Sequence, residues 1–264
     1  YQNFQRYIKK LHEKGIIICV CSKNNENIAK ETFKKNKNMI LSLNDVTIFK
    51  ANFNDKATNI KEISKSLNLG LDSIVFVDDS IFECEYIKKE IPDVLTIHLK
   101  DDASNFIEII ENISPFVFSN ITKEDLKRNQ NYKNIIKINQ KINKSSNIDS
   151  FLNQLKSRAK LQNVSSINID RAVQLLGKTN QFKLNQKLYN VKEIYKNKSL
   201  CIFYKDKFQD YGNIGLIIYK FKDKKLEILN WVMSCRVFSR RLEHFIFLEM
   251  IKIAKKKKCK CIGF

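Results

Sequence analysis

The segment SIVFVDDSIFECEYIKKEIPDVLTIHL, residues 73–99, decides the fold. Two of its runs, residues 73–77 and 94–99, have the length of strands and are apolar on both faces. A helical stretch near residues 81–89 joins them. Strands that are buried on both faces and connected by helices form parallel sheets. The segment therefore predicts a strand–helix–strand unit of an α/β fold.

The same alternation extends over residues 1–114, for which we predict a doubly wound parallel sheet, the Rossmann-like arrangement. Gly15 and Gly70 are the predicted ends of the helices that precede them. The further strands and helices are predicted at residues 16–21 and 46–51, and at residues 4–11, 25–35, 57–67 and 105–110. The chain starts within a helix, so we expect the first strand of this domain to be absent.

The remainder of the chain has a different pattern. Residues 115–150 are polar and helical, which predicts a helical linker. Residues 151–264 contain strands in succession with few helices between them, which predicts a smaller α+β domain. Its end, CKCIGF, stops within a predicted strand, so we expect it to be incomplete. The predicted elements are helices at residues 150–158, 169–176 and 241–255, and strands at residues 161–164, 200–204, 214–221 and 226–235.

Composition excludes several classes of function. The net charge is +20, but only seven of the 48 basic residues are arginine, and the lysines are spread over helix faces. Nucleic-acid recognition uses clustered arginine and interleaved aromatic residues, so we expect no nucleic-acid partner. No apolar run approaches the roughly 18 residues of a membrane helix, and no signal peptide is recognisable. We therefore expect a cytoplasmic protein without a membrane partner.

Polar residues follow the predicted strands of the first domain. Ser22, Lys56 and the pair Asp78 and Asp79 each come directly after an apolar run. Ligands of parallel sheets bind beyond the carboxyl ends of the strands, so these residues can converge. A hydroxyl and a lysine suit a phosphoryl group, and paired carboxylates suit Mg²⁺. The pattern predicts a magnesium-dependent phosphoryl-transfer site.

Helix capping is an alternative explanation for some of these polar residues. Ser22 and Asn24 precede one predicted helix, and Asp79 and Ser80 precede another. Side chains of these types accept hydrogen bonds from the first backbone N–H groups of a helix. Capping and ligand binding are compatible, so both explanations stay open.

The order of these residues resembles motifs two, three and four of the haloacid dehalogenase superfamily. Longer strings resemble the FkbH-like proteins, subfamily IIIC of that superfamily, over nearly the whole chain. These strings are GIIICVCSKNNENIAKETF, FNDKATNIKEISKSLNLGLDSIVFVDDS, QLLGKTNQF and MSCRV. The resemblance implies a phosphatase-type domain followed by a GNAT-like acyltransferase domain.

The family resemblance also implies an activity. Its best-known members take an acyl group from 1,3-bisphosphoglycerate, release phosphate and load the acyl group onto an acyl carrier protein. Two alternatives remain, a plain magnesium-dependent phosphatase and a non-catalytic module that binds a carrier protein. The family's first motif, Asp-x-Asp-x-Thr, holds the nucleophilic aspartate and does not occur in this sequence. The chain as printed is therefore not expected to turn over phosphate.

Carried over by position, the resemblance assigns roles to individual residues of the first domain. Lys56 stabilises charge on the transferring group, Asp78 is the metal carboxylate, and Asp79 is a neighbouring ligand. The phosphate and substrate contacts are Ser22, Lys23 and Asn24. A thioester route also needs a thiol, for which Cys21 is the best-placed candidate. The alternative is that Cys21 is buried in the strand while Ser22 faces the site.

In the second domain, the resemblance directs attention to RVFSRR, residues 236–241. GNAT domains hold a coenzyme pyrophosphate at such a turn with backbone N–H groups. Arg236 matches the family pattern, but Ser239 and Arg241 stand where the family has two glycines. We therefore interpret Arg240 and Arg241 as contacts to phosphopantetheine or to an acidic carrier protein. The candidate acyl contacts are Lys178, Thr179, Asn180 and Gln181, for which a simple helix-ending turn is the alternative.

Overall fold

A computed structural model describes residues 1–100, 102–116, 121–143, 148–179, 182–238 and 240–264. The chain forms two compact units, Tyr1–Ile136 and Lys137–Phe264. The finer division predicted at residues 114 and 150 stays a prediction. Asn180, Gln181 and Ser239 lie outside the described residues.

The first unit contains the predicted alternation of strands and helices. Strand β1 pairs with β2 and strand β3 pairs with β4, and both pairs are parallel. The strands are β1 (Ile18–Ser22), β2 (Val46–Ala51), β3 (Val75–Asp78) and β4 (Leu95–His98). The helices are α1 (Gln2–Glu13), α2 (Glu26–Lys35), α3 (Lys56–Leu67), α4 (Ile81–Glu90), α5 (Phe106–Ile113) and α6 (Lys123–Leu126). Helix α7 (Arg128–Asn143) includes the boundary between the two units.

Short polar side chains start the helices that follow the strands. Asn25 accepts hydrogen bonds from the backbone of α2, Asp55 caps α3, and Ser80 caps α4. Of the capping candidates, Ser80 is confirmed, whereas Asn25 rather than Ser22 or Asn24 caps α2. Each cap satisfies backbone N–H groups that have no partner within the helix, which fixes where the helix begins.

One predicted helix end is wrong. Helix α3 ends at Leu67, and the left-handed residue that terminates it is Asn68, with φ of 53°, rather than Gly70. Asparagine tolerates this conformation because its short polar side chain can form local hydrogen bonds. Gly70 has φ of −66°, which any residue adopts.

Apolar side chains on the inner faces of α3 and α4 hold the carboxyl ends of the strands in place. Ile60 of α3 and Ile87 of α4 pack in one buried cluster with Phe76 of β3. A second cluster joins Ile97 of β4 to Phe106 of α5. Burial of a side chain of this size contributes about 1.5–3 kcal/mol. These contacts give the polar residues at the strand ends a rigid support.

The second unit is α+β, and the predicted fold class is confirmed. Its sheet has the order β5-β6-β7-β8-β9, antiparallel except between β8 and β9. The strands are β5 (Arg158–Asn163), β6 (Lys198–Lys205), β7 (Asp210–Lys222), β8 (Lys225–Met233) and β9 (Cys261–Gly263). The helices are α8 (Ile148–Gln154), α9 (Ile169–Lys178), α10 (Val191–Lys196) and α11 (Leu242–Lys256).

Two details of the second unit differ from expectation. The helix predicted over residues 150–158 ends at Gln154, and β5 begins at Arg158, because this segment pairs with β6 from Arg158 onward. Helix α10 was not predicted, although Asn190 and Glu193 form a capping box at its start. In the described parts of the chain, no helix is both long enough and apolar enough to cross a membrane.

Candidate functional site

The residues predicted to converge lie at the carboxyl ends of the parallel strands. Ser22 is the last residue of β1, Asp78 is the last residue of β3, and Lys56 is the first residue of α3, which follows β2. Lys56 Nζ lies 2.5 Å from Asp78 Oδ2, so these two residues form an ion pair. The structure thus brings together side chains that are 22 positions apart in the sequence.

The Lys56–Asp78 pair is shielded from solvent. The two side chains are 11% and 9% exposed. Asp78 Oδ1 accepts a second hydrogen bond, at 3.0 Å, from the backbone N–H of Ser80. Lys56 Nζ also lies 5.8 Å from the centre of the Phe76 ring, within the range of a cation–π interaction. Both carboxylate oxygens of Asp78 are therefore used, and its orientation is fixed.

Ser22 ends strand β1 and makes no hydrogen bond to this pair. Its backbone oxygen accepts a hydrogen bond from Asn52, which ties the end of β1 to the loop after β2. The residue is partly exposed, and its hydroxyl makes no hydrogen bond in the described part of the chain. The predicted contact between this hydroxyl and a phosphoryl oxygen stays a prediction.

Asp79 is the exposed member of the carboxylate pair. Its backbone oxygen lies 3.1 Å from His98 Nε2, which links the loop after β3 to the end of β4. Among the described residues, no group of three or more His, Cys, Asp or Glu side chains forms a metal site by itself. Mg²⁺ typically uses one or two carboxylates and completes its octahedron with water and phosphate oxygens. Asp78 and Asp79 fit that partial set of ligands.

A second ion pair, Lys23–Glu83, lies next to the first. Lys23 Nζ is 2.6 Å from Glu83 Oε1, and this hydrogen bond raises the pKa of Lys23. Lys23 was a predicted contact, but Glu83 was not recognised. The neighbouring candidate Asn24 instead accepts a hydrogen bond from the backbone N–H of Asn25 at 2.7 Å. Its side-chain oxygen therefore supports the loop.

The sequence analysis also missed a pair of asparagines. Asn52 and Asn59 exchange side-chain hydrogen bonds of 3.0 and 2.8 Å. They connect the loop after β2 to the first turns of α3 and thereby fix the helix start that carries Lys56. Asn59 lies on the buried face of α3, and a polar residue at such a position is the signal that could have revealed the pair.

The Cys21 thiol is packed beneath the site. It contacts the apolar clusters around α3, and its Sγ lies 3.9 Å from the backbone oxygen of Lys56. Burial raises the pKa of Cys21 to about 11, although the charge of Lys56 opposes the shift. A thiol becomes nucleophilic as its thiolate, so this environment argues against acyl transfer through Cys21.

We expect iodoacetamide at pH 7.5 to alkylate Cys21 about a hundredfold more slowly in the native chain than in urea. The reason is that the raised pKa of Cys21 lowers the fraction of the thiol that is present as thiolate. Mass spectrometry of the peptides measures both rates. Cys261, which is exposed, is the control in the same sample. Equal rates at Cys21 and Cys261 in the native chain would contradict this expectation and restore Cys21 as an acyl carrier.

The candidate residues of the second unit are not all accessible. Arg236 and Arg240 are buried, and Arg240 lies beside Asp206 and donates a hydrogen bond to Tyr211. The interpretation of Arg240 as a contact to a carrier is therefore wrong, because its guanidinium group is inside the unit. Arg241 is exposed and pairs with Asp149 at 2.7 Å.

Of the candidate acyl contacts, Lys178 ends α9, and Thr179, which follows it, is buried.

Comparisons with known proteins find similarity to solved structures. The chain is 43% identical to the N-terminal part of protein BF1531 from Bacteroides fragilis, which contains a phosphatase domain complexed with Mg. This match covers 44% of the present chain and 31% of the other, with a TM-score of 0.43. An IAA acetyltransferase from Bacillus cereus is 12% identical over 39% of this chain and 61% of its own, with a TM-score of 0.28.

The chain therefore spans less than two thirds of the length of either protein. No family model matches the chain, and no curated protein matches it.

Proposed function

We propose that the first unit holds the phosphate-binding and magnesium-binding residues of a phosphoryl-transfer enzyme. The observation that carries the proposal is the shielded Lys56–Asp78 ion pair at the carboxyl end of the sheet, with the exposed Asp79 next to it in the chain and the partly exposed Ser22 at the end of β1. Lys56 stabilises negative charge on a phosphoryl group, and Ser22 donates a hydrogen bond to one of its oxygens.

The charge of this region supports a requirement for a divalent cation. Lys23 and Glu83 neutralise each other, which leaves Lys56 with three carboxylates, those of Asp55, Asp78 and Asp79. The excess of negative charge repels a phosphate dianion. Asp78 and Asp79 would hold Mg²⁺, which supplies the positive charge that the phosphoryl oxygens need. The sequence identity to a phosphatase domain that was complexed with Mg agrees with this assignment.

We expect the chain to bind inorganic phosphate in the presence of Mg²⁺ and not in the presence of EDTA. Ser22→Ala should weaken phosphate binding about tenfold, since it removes one hydrogen bond to an anion. Asp79→Asn should weaken Mg²⁺ binding by a similar factor of about ten, because it removes a charged ligand. Calorimetric titration measures both affinities.

The control variant is Asp93→Asn. Asp93 is an exposed carboxylate that precedes β4, at the opposite end of the strand from the site. It should bind Mg²⁺ and phosphate as the unmodified chain does. Phosphate binding that is unaffected by EDTA, or by both site substitutions, would refute the proposed site.

The finer proposal is a reaction of the FkbH type. The carrier thiol attacks the carbonyl of an acyl phosphate such as 1,3-bisphosphoglycerate, the carbonyl carbon–oxygen bond to phosphate breaks, and a thioester and inorganic phosphate are the products. An acyl carrier protein is the proposed partner and Mg²⁺ the proposed cofactor. Because the sequence contains no Asp-x-Asp-x-Thr, we propose that this chain by itself binds phosphate without hydrolysing phosphate esters.

A plain magnesium-dependent phosphatase is the second candidate function. The burial of Arg240 and of the Cys21 thiol favours it, since both groups were candidates for the acyl-transfer route. The two candidates differ in one measurable respect, which applies to a protein that combines this chain with the nucleophilic Asp-x-Asp-x-Thr motif. Acyl transfer requires that an acyl carrier protein increase the release of phosphate from an acyl phosphate, whereas a plain phosphatase is indifferent to the carrier.

A further inference from the structure

Glu83 is a buried carboxylate whose bonding is incomplete. Its residue surface is 7% exposed, and one oxygen, Oε1, bonds to Lys23. The other oxygen, Oε2, is buried and has no hydrogen-bond partner within the described part of the chain. A buried polar atom without a partner is costly, and such atoms are rare in folded proteins. Packing alone therefore does not explain why a carboxylate is buried at position 83.

Helix capping does not supply that explanation. Ser80 and Glu83 have the spacing of a capping box, in which the glutamate would bond to the backbone N–H of the serine. Here the Ser80 hydroxyl does accept a hydrogen bond from the backbone N–H of Glu83. The Ser80 N–H, however, donates to Asp78 instead. The carboxylate of Glu83 is thus released from the helix start and bonds to Lys23, the residue after Ser22.

The two lysines of the site differ in their availability to a ligand. Lys56 is shielded and bonded to Asp78, which is the proposed metal carboxylate. The Lys23 side chain is 40% exposed, although its ammonium group is bonded to a carboxylate that is 9% exposed. Glu83 is linked to the first pair through Ser80, whose hydroxyl accepts a hydrogen bond from the N–H of Glu83 and whose own N–H donates to Asp78.

We propose that Glu83 is a positioning residue of the phosphate site: it fixes the ammonium group of Lys23, which binds a phosphate oxygen while Lys56 remains with Asp78. This inference rests on the proposed phosphate site. A free lysine side chain loses rotamer entropy when it binds a ligand, and a fixed one has already lost it. Glu83 therefore increases phosphate affinity through Lys23 without touching the phosphate.

The test is a double-mutant cycle on the affinity for inorganic phosphate at saturating Mg²⁺. We expect Lys23→Met to weaken binding by about tenfold or more, since it removes a charged contact to the anion. Glu83→Ala should weaken binding about fivefold, because on this proposal the ordering of the freed lysine costs more than the removal of one negative charge gains. The double variant should bind no more weakly than Lys23→Met alone, because Glu83 acts only through Lys23.

Glu85→Ala is the matched control. Glu85 is on the same helix, α4, and its partner is Lys88 at 2.8 Å, but both side chains of that pair are exposed. Its phosphate affinity should equal that of the unmodified chain. Glu83→Gln keeps the volume and one acceptor but removes the charge, so it should give a smaller loss in the same direction if Glu83→Ala does not fold.

The possible outcomes separate the two proposals. An unmodified chain that binds no phosphate with Mg²⁺ refutes the proposed site and this inference together. A chain that binds phosphate equally well with Glu83 or with its Gln and Ala replacements refutes the role of Glu83 alone. Equal losses from Glu83→Ala with and without Lys23 also refute it, since they indicate a general structural effect.

Discussion

Lys56→Met is expected to lower the free energy of unfolding of the first unit by about 3–5 kcal/mol, because it leaves the shielded carboxylate of Asp78 without its cation. Methionine retains an unbranched side chain as far as the Cε position of lysine, so the loss of the charged amine is the main change. Urea unfolding followed by the amide NMR signals of β3 measures the effect. These signals report the strand that carries Asp78.

The control is an ion pair of the same length at the surface. Lys50 Nζ also lies 2.5 Å from a carboxylate, that of Glu62, but the two side chains are 32% and 48% exposed. Exposed pairs of this kind contribute about 0–1 kcal/mol, so Lys50→Met should change stability little. The comparison isolates burial as the cause because both pairs join a lysine to a carboxylate at the same distance.

A second substitution tests whether the loss comes from the uncompensated charge. Lys56→Met combined with Asp78→Asn should recover part of the stability lost in Lys56→Met, since the double variant buries no carboxylate at position 78. Equal stability losses for Lys56→Met and Lys50→Met would show that the Lys56–Asp78 pair is not shielded as described.

The order of elements and the main site residues could be predicted from the sequence for a simple reason. Strands that are apolar on both faces are buried, and the polar residues that follow them must lie at one edge of the sheet. This reasoning places Ser22, Lys56 and Asp78 at that edge, and the structure joins the last two directly. Each of these signals lies within a few residues of a strand end, where local sequence is informative.

The missed features depend on pairs that are distant in the sequence. In the sequence, Glu83 has the spacing of a capping box with Ser80. Only the structure shows that the serine N–H donates to Asp78, so that the glutamate bonds to Lys23 instead. Arg240 and Arg241 are chemically alike in the sequence, but the two side chains lie in opposite environments. No periodicity distinguishes them, because the residue that pairs with Arg240, Asp206, is on another element.

The surroundings of Arg240 explain why it is inside the unit. Its guanidinium group donates to the Tyr211 hydroxyl at 3.1 Å and to the backbone oxygens of Phe238 and Arg236 at 3.2 and 3.3 Å. Its Nε lies 3.7 Å from a carboxylate oxygen of Asp206, and the two side chains are 1% and 0% exposed. The planar fork of arginine thereby connects the turn after β6, the start of β7 and the segment before α11.

We expect Arg240→Ala to lower the free energy of unfolding of the second unit by about 3–5 kcal/mol, since it leaves Asp206 buried without its cation. Arg240→Lys should also be destabilising, because an ammonium group cannot make the same set of bonds. The only tryptophan of the chain, Trp231, is buried in β8, so its fluorescence during urea unfolding reports this unit.

Arg241→Ala is the control, and the exposed pair that it removes contributes about 0–1 kcal/mol. If the two alanine variants were equally stable, Arg240 would not be a buried structural residue, and its role as a surface contact to a carrier would again be open.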